Sequence, residues 1–243
     1  MSKLDKFKRK EKNNDNVWSS ISDLMSGLMI VFLFTSVIFM SKVIDENKNI
    51  KNQQQTVENI VTTYEESKTN IYEDLYNEFK SDMDRWDMEV DKDGTIRFKE
   101  PEVFFDTGEA EIKDQFKDTL NSFFPRYINL IYKNYKDKVT EIRIEGHTSS
   151  EWEEETDTKT AYFKNMELSQ DRTRNVLEYV MNMESIREYE DWLIDNITAN
   201  GMSYSNRIYK DNVEDKEASR RVEFRVITNS EETIDEIIDN YKK

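Results

Sequence analysis

The residue with the plainest chemistry is an acid set in an apolar run. Asp23 lies within Trp18–Met40, WSSISDLMSGLMIVFLFTSVIFM, the only stretch long and apolar enough to cross a bilayer. From Leu24 to Met40 there is no charge, and the polar exceptions are Ser26, Thr35 and Ser36. A carboxylate costs about 2.5–3.5 kcal/mol at the centre of an inserted helix, so intramembrane acids face a partner or a water-filled path, where they bind or relay ions. Trp18, an amphipathic ring suited to the interface, precedes the acid by about one and a half turns and acts as the membrane anchor. Asp23 then falls just inside the hydrocarbon edge.

Other chemistry is sparse. His147 is the only histidine and there is no cysteine, which excludes disulfides, thiolate metal sites and His/Cys clusters. No nucleophile, base and acid fall in a catalytic order, and five glycines leave little from which to build a phosphate cradle. His147 is read as a side chain that packs or bonds locally. The chain is expected not to be an enzyme, and to hold neither a bound cofactor nor a metal.

The acid needs a helix to carry it and something to hold that helix. Val17 to Ile44 supplies the roughly 20 residues that a membrane span requires, with some to spare. A cleaved signal peptide begins in the same way, but this core is too long and no small-x-small site follows Met40. Residues 1–16 form a basic tail with Lys3, Lys6, Lys8, Arg9, Lys10 and Lys12, read as solvated and disordered. The far flank sets Lys42 and Lys48 against Asp45 and Glu46. Basic residues near a membrane end stay inside, so the N-terminus is expected in the cytoplasm and residues 45–243 are expected to be exported. With 36% hydrophobic and 35% charged residues, no second span is expected. A net charge of −16 argues against nucleic acid, whose phosphates need a basic surface.

Residues 45–86 are polar and free of Gly and Pro, with Ile50, Val57, Tyr64 and Ile71 at seven-residue intervals and Ile60, Val61 and Leu75 filling in. The spacing predicts a helical stalk, either a hairpin or a coiled coil with a second copy, its seam thinned by Gln53 and Ser67. From Trp86 the pattern changes. Val90–Phe98 reads as two strands about an Asp93-Gly94 turn, and Pro101 and Gly108 bracket Val103-Phe104-Phe105. Glu109–Tyr135 has helical spacing interrupted at Pro125. Lys138–Glu145 alternates as a strand, a helix runs from about Asn165 to Asn182, and a second helical stretch continues to Asp195. Ile197–Gly201 is a short strand, and Arg221–Ile227 alternates with Val222, Phe224 and Val226 inward. Strands interleaved with helices make an α/β sandwich of one sheet with helices packed on it. The acidic tail, 229–243, reads as a loose helix.

Two resemblances rest on these residues. Trp18-x4-Asp23-Leu24-Met25-x2-Leu28-Met29-x2-Phe32-Leu33 resembles the transmembrane signature of the MotB family, the B subunits of ion-driven rotary stators. There the matching acid carries the ion, which makes Asp23 the ion-binding residue. Val103-Phe104-Phe105-x2-Gly108-x-Ala110-x-Ile112, Gly146-His147-Thr148, Asn165-x2-Leu168-Ser169-x2-Arg172-x3-Val176, Ile197-x3-Gly201, Ser205-Asn206 and Arg220-Arg221-Val222-Glu223 occur in the order of OmpA-like peptidoglycan-binding domains. The resemblance covers about residues 87–228 and implies a βαβαβ-type sandwich whose ligand is a peptide stem with free carboxylates and amines. It assigns binding to Asn165, Leu168, Arg172, Thr148 and Ser149. A planar guanidinium such as Arg172 grips a carboxylate with two parallel hydrogen bonds. Asn165 is placed at a helix start, which favours anions, and Leu168 packs beneath the site. The competing reading of Arg172 is a structural salt bridge with Asp171 or Glu167. Many of these domains carry an Asp where this chain has Ser149, and Glu151, Glu153, Glu154 or Asp157 are the candidate replacements.

Together the resemblances imply a wall-anchored B subunit of an ion-driven motor. Two copies of the helix would stand inside a ring of multi-helix A subunits of the MotA/ZorA kind, five around two, and the transported ion would be a proton or sodium. The short tail, brief stalk, Ser149-Ser150 and Glu-rich loop are most similar to the ZorB subunits of Zorya anti-phage systems, which share the MotB plan. A flagellar stator and a passive wall tether are the alternatives.

Overall fold

The computed structural model describes residues 3–99, 104–152, 156–231 and 233–234, with side chains from Val17 onward. The chain divides into two units, residues 1–59 and 60–243. The first is the greater part of a single helix, α1 (Lys3–Phe79). It begins at Lys3, so the basic tail continues the helix instead of forming a disordered terminus. α1 carries the one segment among the described residues that is long and apolar enough to cross a membrane. Every side chain from Val17 to Ile44 is exposed, Leu24 at 75% and Phe32 at 71%, so no described residue of the chain buries this apolar surface. Two of its hydroxyls, those of Thr35 and Ser36, are satisfied internally. Ser36 Oγ donates to the Phe32 carbonyl at 2.8 Å, and Thr35 Oγ1 lies 2.9 and 3.0 Å from the Phe32 and Val31 carbonyls. Hydrocarbon offers polar groups no partner, and back-bonding to the preceding turn removes the need for one.

The second unit is built on a five-stranded sheet of β1 (Met88–Val90), β2 (Ile96–Phe98), β3 (Val139–His147), β4 (Ile197–Gly201) and β7 (Arg221–Thr228). Its order is β1-β2-β7-β3-β4, antiparallel throughout except for the parallel β3/β4 pair. Alternation gives the sheet two unlike faces. Ile96, Phe98, Ile142, Ile144, Val222, Phe224 and Val226 are buried against helices. The alternate positions, Arg97, Arg143, Glu145, Glu223 and Arg225, form a charged ladder on the other face, with Arg97 paired to Glu223 and Glu145 to Glu223 in register.

Two helices cover the apolar face. α3 (Asp114–Tyr135) contributes Phe116, Leu120, Phe123, Phe124, Tyr127, Ile128 and Ile131, with Phe123 packed 5.1 Å from Phe224 and 5.0 Å from Phe98. The helix runs through Pro125, where sequence reading expects an interruption. An internal proline costs about 3 kcal/mol. Each large side chain buried on either side contributes about 1.5–3 kcal/mol, so packing wins. α4 (Thr158–Met181) begins two turns before the expected start at Asn165, because Asp157 caps it, accepting from Lys159 N at 3.1 Å and Thr160 N at 3.2 Å.

The end of α1 also belongs to this core. Ile71, Leu75 and Phe79 are fully buried, Phe79 lies 5.1 Å from Phe123, and Arg126 binds Glu78 and the residue Asp82 just before α2 (Met83–Trp86). The heptad positions Ile71 and Leu75 therefore serve the domain, and the polar seam residue Ser67 is buried as well. The hairpin reading of the stalk does not hold, since 45–79 lie in one unbroken helix. The acidic tail beyond residue 234 lies outside the described residues.

Candidate ligand cleft and membrane carboxylate

Two glycines set α4 down on the sheet. Gly146 on β3 and Gly201 on β4 are register partners, and a Cβ on either would collide with the helix. At Gly146 it would meet Thr173 Cγ2 at 2.7 Å and the Ser169 carbonyl at 2.9 Å; at Gly201 it would meet Gln170 N at 2.4 Å. This close approach brings the exposed edge of α4 over the end of β3. Ser203, held at φ 50°, locks the junction: its N–H donates to Ser169 Oγ at 3.0 Å and its carbonyl accepts from Thr148 N at 2.9 Å.

The result is a cleft of about 520 Å³ lined by Phe105, Asp106, Thr107, Gly108, Thr148, Ser149, Glu151, Trp152, Asn165, Leu168, Arg172 and Arg220. All five residues assigned from the sequence, Thr148, Ser149, Asn165, Leu168 and Arg172, come together here. Asn165 sits in the third turn of α4, not at the helix start, so the helix dipole gives it no help with anions. Its amide nitrogen is occupied by the Ala161 and Glu151 carbonyls at 3.1 and 3.2 Å, which leaves Oδ1 as the group it can offer. Thr148 Oγ1 is buried with no hydrogen-bond partner among the described residues, a state that costs about 1–3 kcal/mol unless a ligand relieves it. Ser149 is buried beside it, and Leu168 is half-buried in the wall.

Arg172 dominates the electrostatics. It is 9% exposed, stacks 4.8 Å over the Phe105 ring, and donates from Nε to the Glu109 carbonyl at 2.8 Å and from Nη2 to the Asp106 carbonyl at 3.0 Å. The structural salt bridge does not form: Asp171 pairs with Arg174 and Glu167 with Lys164. Burial, and then the neighbouring Arg220 charge, push the Arg172 guanidinium down to about 10, so it stays charged at neutral pH. Among the described residues this buried cation is bonded to neutral carbonyls and to no carboxylate, and a ligand carboxylate fits the need for a counter-ion.

The acids around the cleft sort themselves. Glu151 lines it and pairs with Lys216 at 2.6 Å and Arg220 at 3.3 Å; the Lys216 hydrogen bond is the main reason its carboxyl lies below the ordinary range. Asp157 is used as the cap of α4, so it does not replace the missing acid. Glu153 and Glu154 lie outside the described residues. Asp106, which sequence reasoning passed over, also lines the cleft and pairs with Lys113 at 2.8 Å. Only its position inside the Phe105-x2-Gly108 motif marked it.

His147 points to the other face of the sheet. Its Nε2 lies 3.3 Å from Glu145 and 3.5 Å from Glu223, and this trio is the one cluster among the described residues with metal-ligand proximity. Arg221 and Arg97 hold Glu223 at 2.6 and 2.8 Å and Arg143 approaches Glu145 at 3.5 Å, so the negative charge is already matched. Burial works to raise Glu223, but His147 and Arg221 outweigh it and hold the carboxyl below its usual range. With Arg97, Arg143 and Arg221 the two acids of the trio form an ion-pair network that ties β2, β7 and β3.

At the other end of the chain, Asp23 is exposed on α1 with no polar partner among the described residues, and Trp18 is 65% exposed one and a half turns before it.

The OmpA family model matches residues 104–221, the span that builds the cleft. A MotB-like protein of solved structure from Desulfovibrio vulgaris has the same fold, with a TM-score of 0.50 at 20% identity over 69% of this chain and 98% of that one. The Zorya protein ZorB of Escherichia coli is 43% identical over 232 residues, 95% of each chain. The chain belongs to the ZorB family.

Proposed function

We propose that this chain is the wall-anchored B subunit of an ion-driven rotary motor in the inner membrane, and that the motor serves anti-phage defence. The observation that carries the reading is Asp23: a carboxylate in the one membrane-competent segment, with no partner of its own chain among the described residues. Such an acid needs company from another subunit. One apolar helix has too little surface to enclose an ion path, so a multi-helix A subunit must surround it, with two copies of this chain sharing one ring. Asp23 takes up a proton or sodium ion from the outer side and releases it inside, driven by about 2.3 kcal/mol per charge per 100 mV. The exported domain holds the subunit still by gripping stem-peptide carboxylates at Arg172, with Asn165, Thr148 and Ser149 completing the contacts. The protein works by binding and ion transfer, without catalysis of its own.

The test is ion flux through complexes of this chain with its A-type partner, reconstituted in vesicles under an imposed potential. Asp23→Asn is expected to leave assembly intact and abolish flux. Undiminished flux would sink the proposal.

A further inference from the structure

We propose that the rim of the cleft is a saccharide-stacking subsite, which takes the glycan strand while the cleft takes the peptide. This rests on the reading of the cleft as a peptidoglycan site and names a second part of the same ligand. At about 520 Å³ the cleft is of small-molecule size, so most of a polymeric ligand must continue across the surface beyond it.

The rim is a connected row of rings and one guanidinium. Tyr162 and Phe163 lie on α4, three and two residues before Asn165, with ring centroids 5.7 Å apart. Tyr162 meets Tyr204 edge-on at 5.4 Å, and Arg207 lies over both Tyr204, at 5.4 Å, and Tyr209, at 5.6 Å. Tyr204 is the buried footing of the row, its hydroxyl donating to the Thr158 carbonyl at 2.8 Å. The two ends are open: Phe163 is 59% exposed and Tyr209 is 54% exposed. Large exposed rings beside a cleft call for a partner, and the apolar face of a pyranose suits them, since it offers flat C–H surface bordered by hydroxyls.

The row is fixed to the cleft. Tyr209 belongs to a two-residue hairpin, β5 (Tyr209–Lys210) and β6 (Val213–Glu214), closed by Asp211 and Asn212 at φ 52° and 64°. Tyr209 pairs directly with Glu214, so the two side chains share a face. Glu214 accepts from the backbone N–H of Ser150 at 2.8 Å and from its hydroxyl, next to Ser149 in the cleft. Ser203 makes the second tie, with its hydroxyl on the Tyr162 carbonyl at 2.9 Å and its own carbonyl on Thr148. A ligand leaving the cleft past Ser149 therefore reaches the ring of Tyr209 across one hydrogen-bonded connection.

The experiment measures binding of the full chain in detergent to two probes, a sugar-free stem tetrapeptide and the same peptide on its disaccharide. Wild type is expected to bind the disaccharide-peptide more tightly. Tyr209→Ala and Phe163→Ala should each weaken that probe by about tenfold while leaving the tetrapeptide unchanged. Tyr209→Phe, which keeps the ring, should bind as wild type, and Arg172→Met should lose both probes. If both alanine variants bind the disaccharide-peptide as wild type does, or if wild type shows no preference for it, the stacking subsite is wrong while the cleft reading stands. If wild type binds neither probe, the cleft reading fails and takes the subsite with it.

Discussion

Replacing Arg172 with methionine separates binding from folding. The guanidinium makes two hydrogen bonds, to the carbonyls of Glu109 and Asp106, and lies 4.8 Å over Phe105. Hydrogen bonds from a charged donor are each worth about 1.5–3 kcal/mol. A partly desolvated cation–π contact adds about 0.5–2 kcal/mol. Against these stands the desolvation of an ion with no acid beside it, several kcal/mol in real proteins. The opposing amounts nearly match, and methionine keeps much of the volume and the contact with Phe105. Arg172→Met is therefore expected to unfold within about 2 kcal/mol of wild type. Binding behaves differently, because the ligand carboxylate would lose its charged partner, at a cost of about 2–4 kcal/mol, or roughly 30- to 1,000-fold in affinity. Urea unfolding and binding to purified sacculi read the two quantities separately. A variant that loses more than about 3 kcal/mol of stability, or one that binds sacculi like wild type, would refute the reasoning and make Arg172 a latch for the 105–109 loop.

Gly201→Ala should destabilise the domain by several kcal/mol, more than Gly146→Ala, since its Cβ would meet backbone at 2.4 Å while Gly146 meets a side-chain methyl first at 2.7 Å; thermal unfolding orders the two. Asp157→Ala should cost about 1 kcal/mol through loss of the α4 cap, visible as a lower urea midpoint, with sacculus binding retained. Glu223 is held below its ordinary carboxylate range, so the stability it adds is fully present above the unfolded-state value, about 4.3, and is lost as pH falls toward the folded one. Glu223→Gln should accordingly flatten the fall in urea midpoint between pH 5 and pH 3 and lower the midpoint at pH 7.

What was legible in the sequence was whatever repeats with a period. The apolar run of α1, the alternation of β3 and β7 and the Asp93-Gly94 turn all appear where those patterns place them, because burial of one face imposes spacing directly on residue type. Pro125 misled because a local rule about helices was outweighed by Phe123, Phe124, Tyr127 and Ile128, whose burial depends on distant strands. The start of α4 was misplaced because its first turn, Thr158-Lys159-Thr160, is polar, and only the Asp157 cap marks it. Ile71 and Leu75 fit a heptad equally well whether they face a second helix or a domain core, so spacing alone could not choose between them. The cleft followed a similar division. Its five assigned residues came from a motif, whereas the counter-ion shortage at Arg172 needed coordinates, since Asp171 and Glu167 stand close in sequence but pair elsewhere. The places of Asp106 and Trp152 in the cleft lining likewise depend on loops that periodicity does not describe.

The central claim is that Asp23 carries the ion that powers the motor. The most direct measurement is phage plating efficiency on cells that express this chain with its partner genes, wild type against Asp23→Asn, at equal protein level. The account predicts protection with wild type and none with Asp23→Asn. Protection that survives the substitution would contradict it and leave α1 as no more than an anchor.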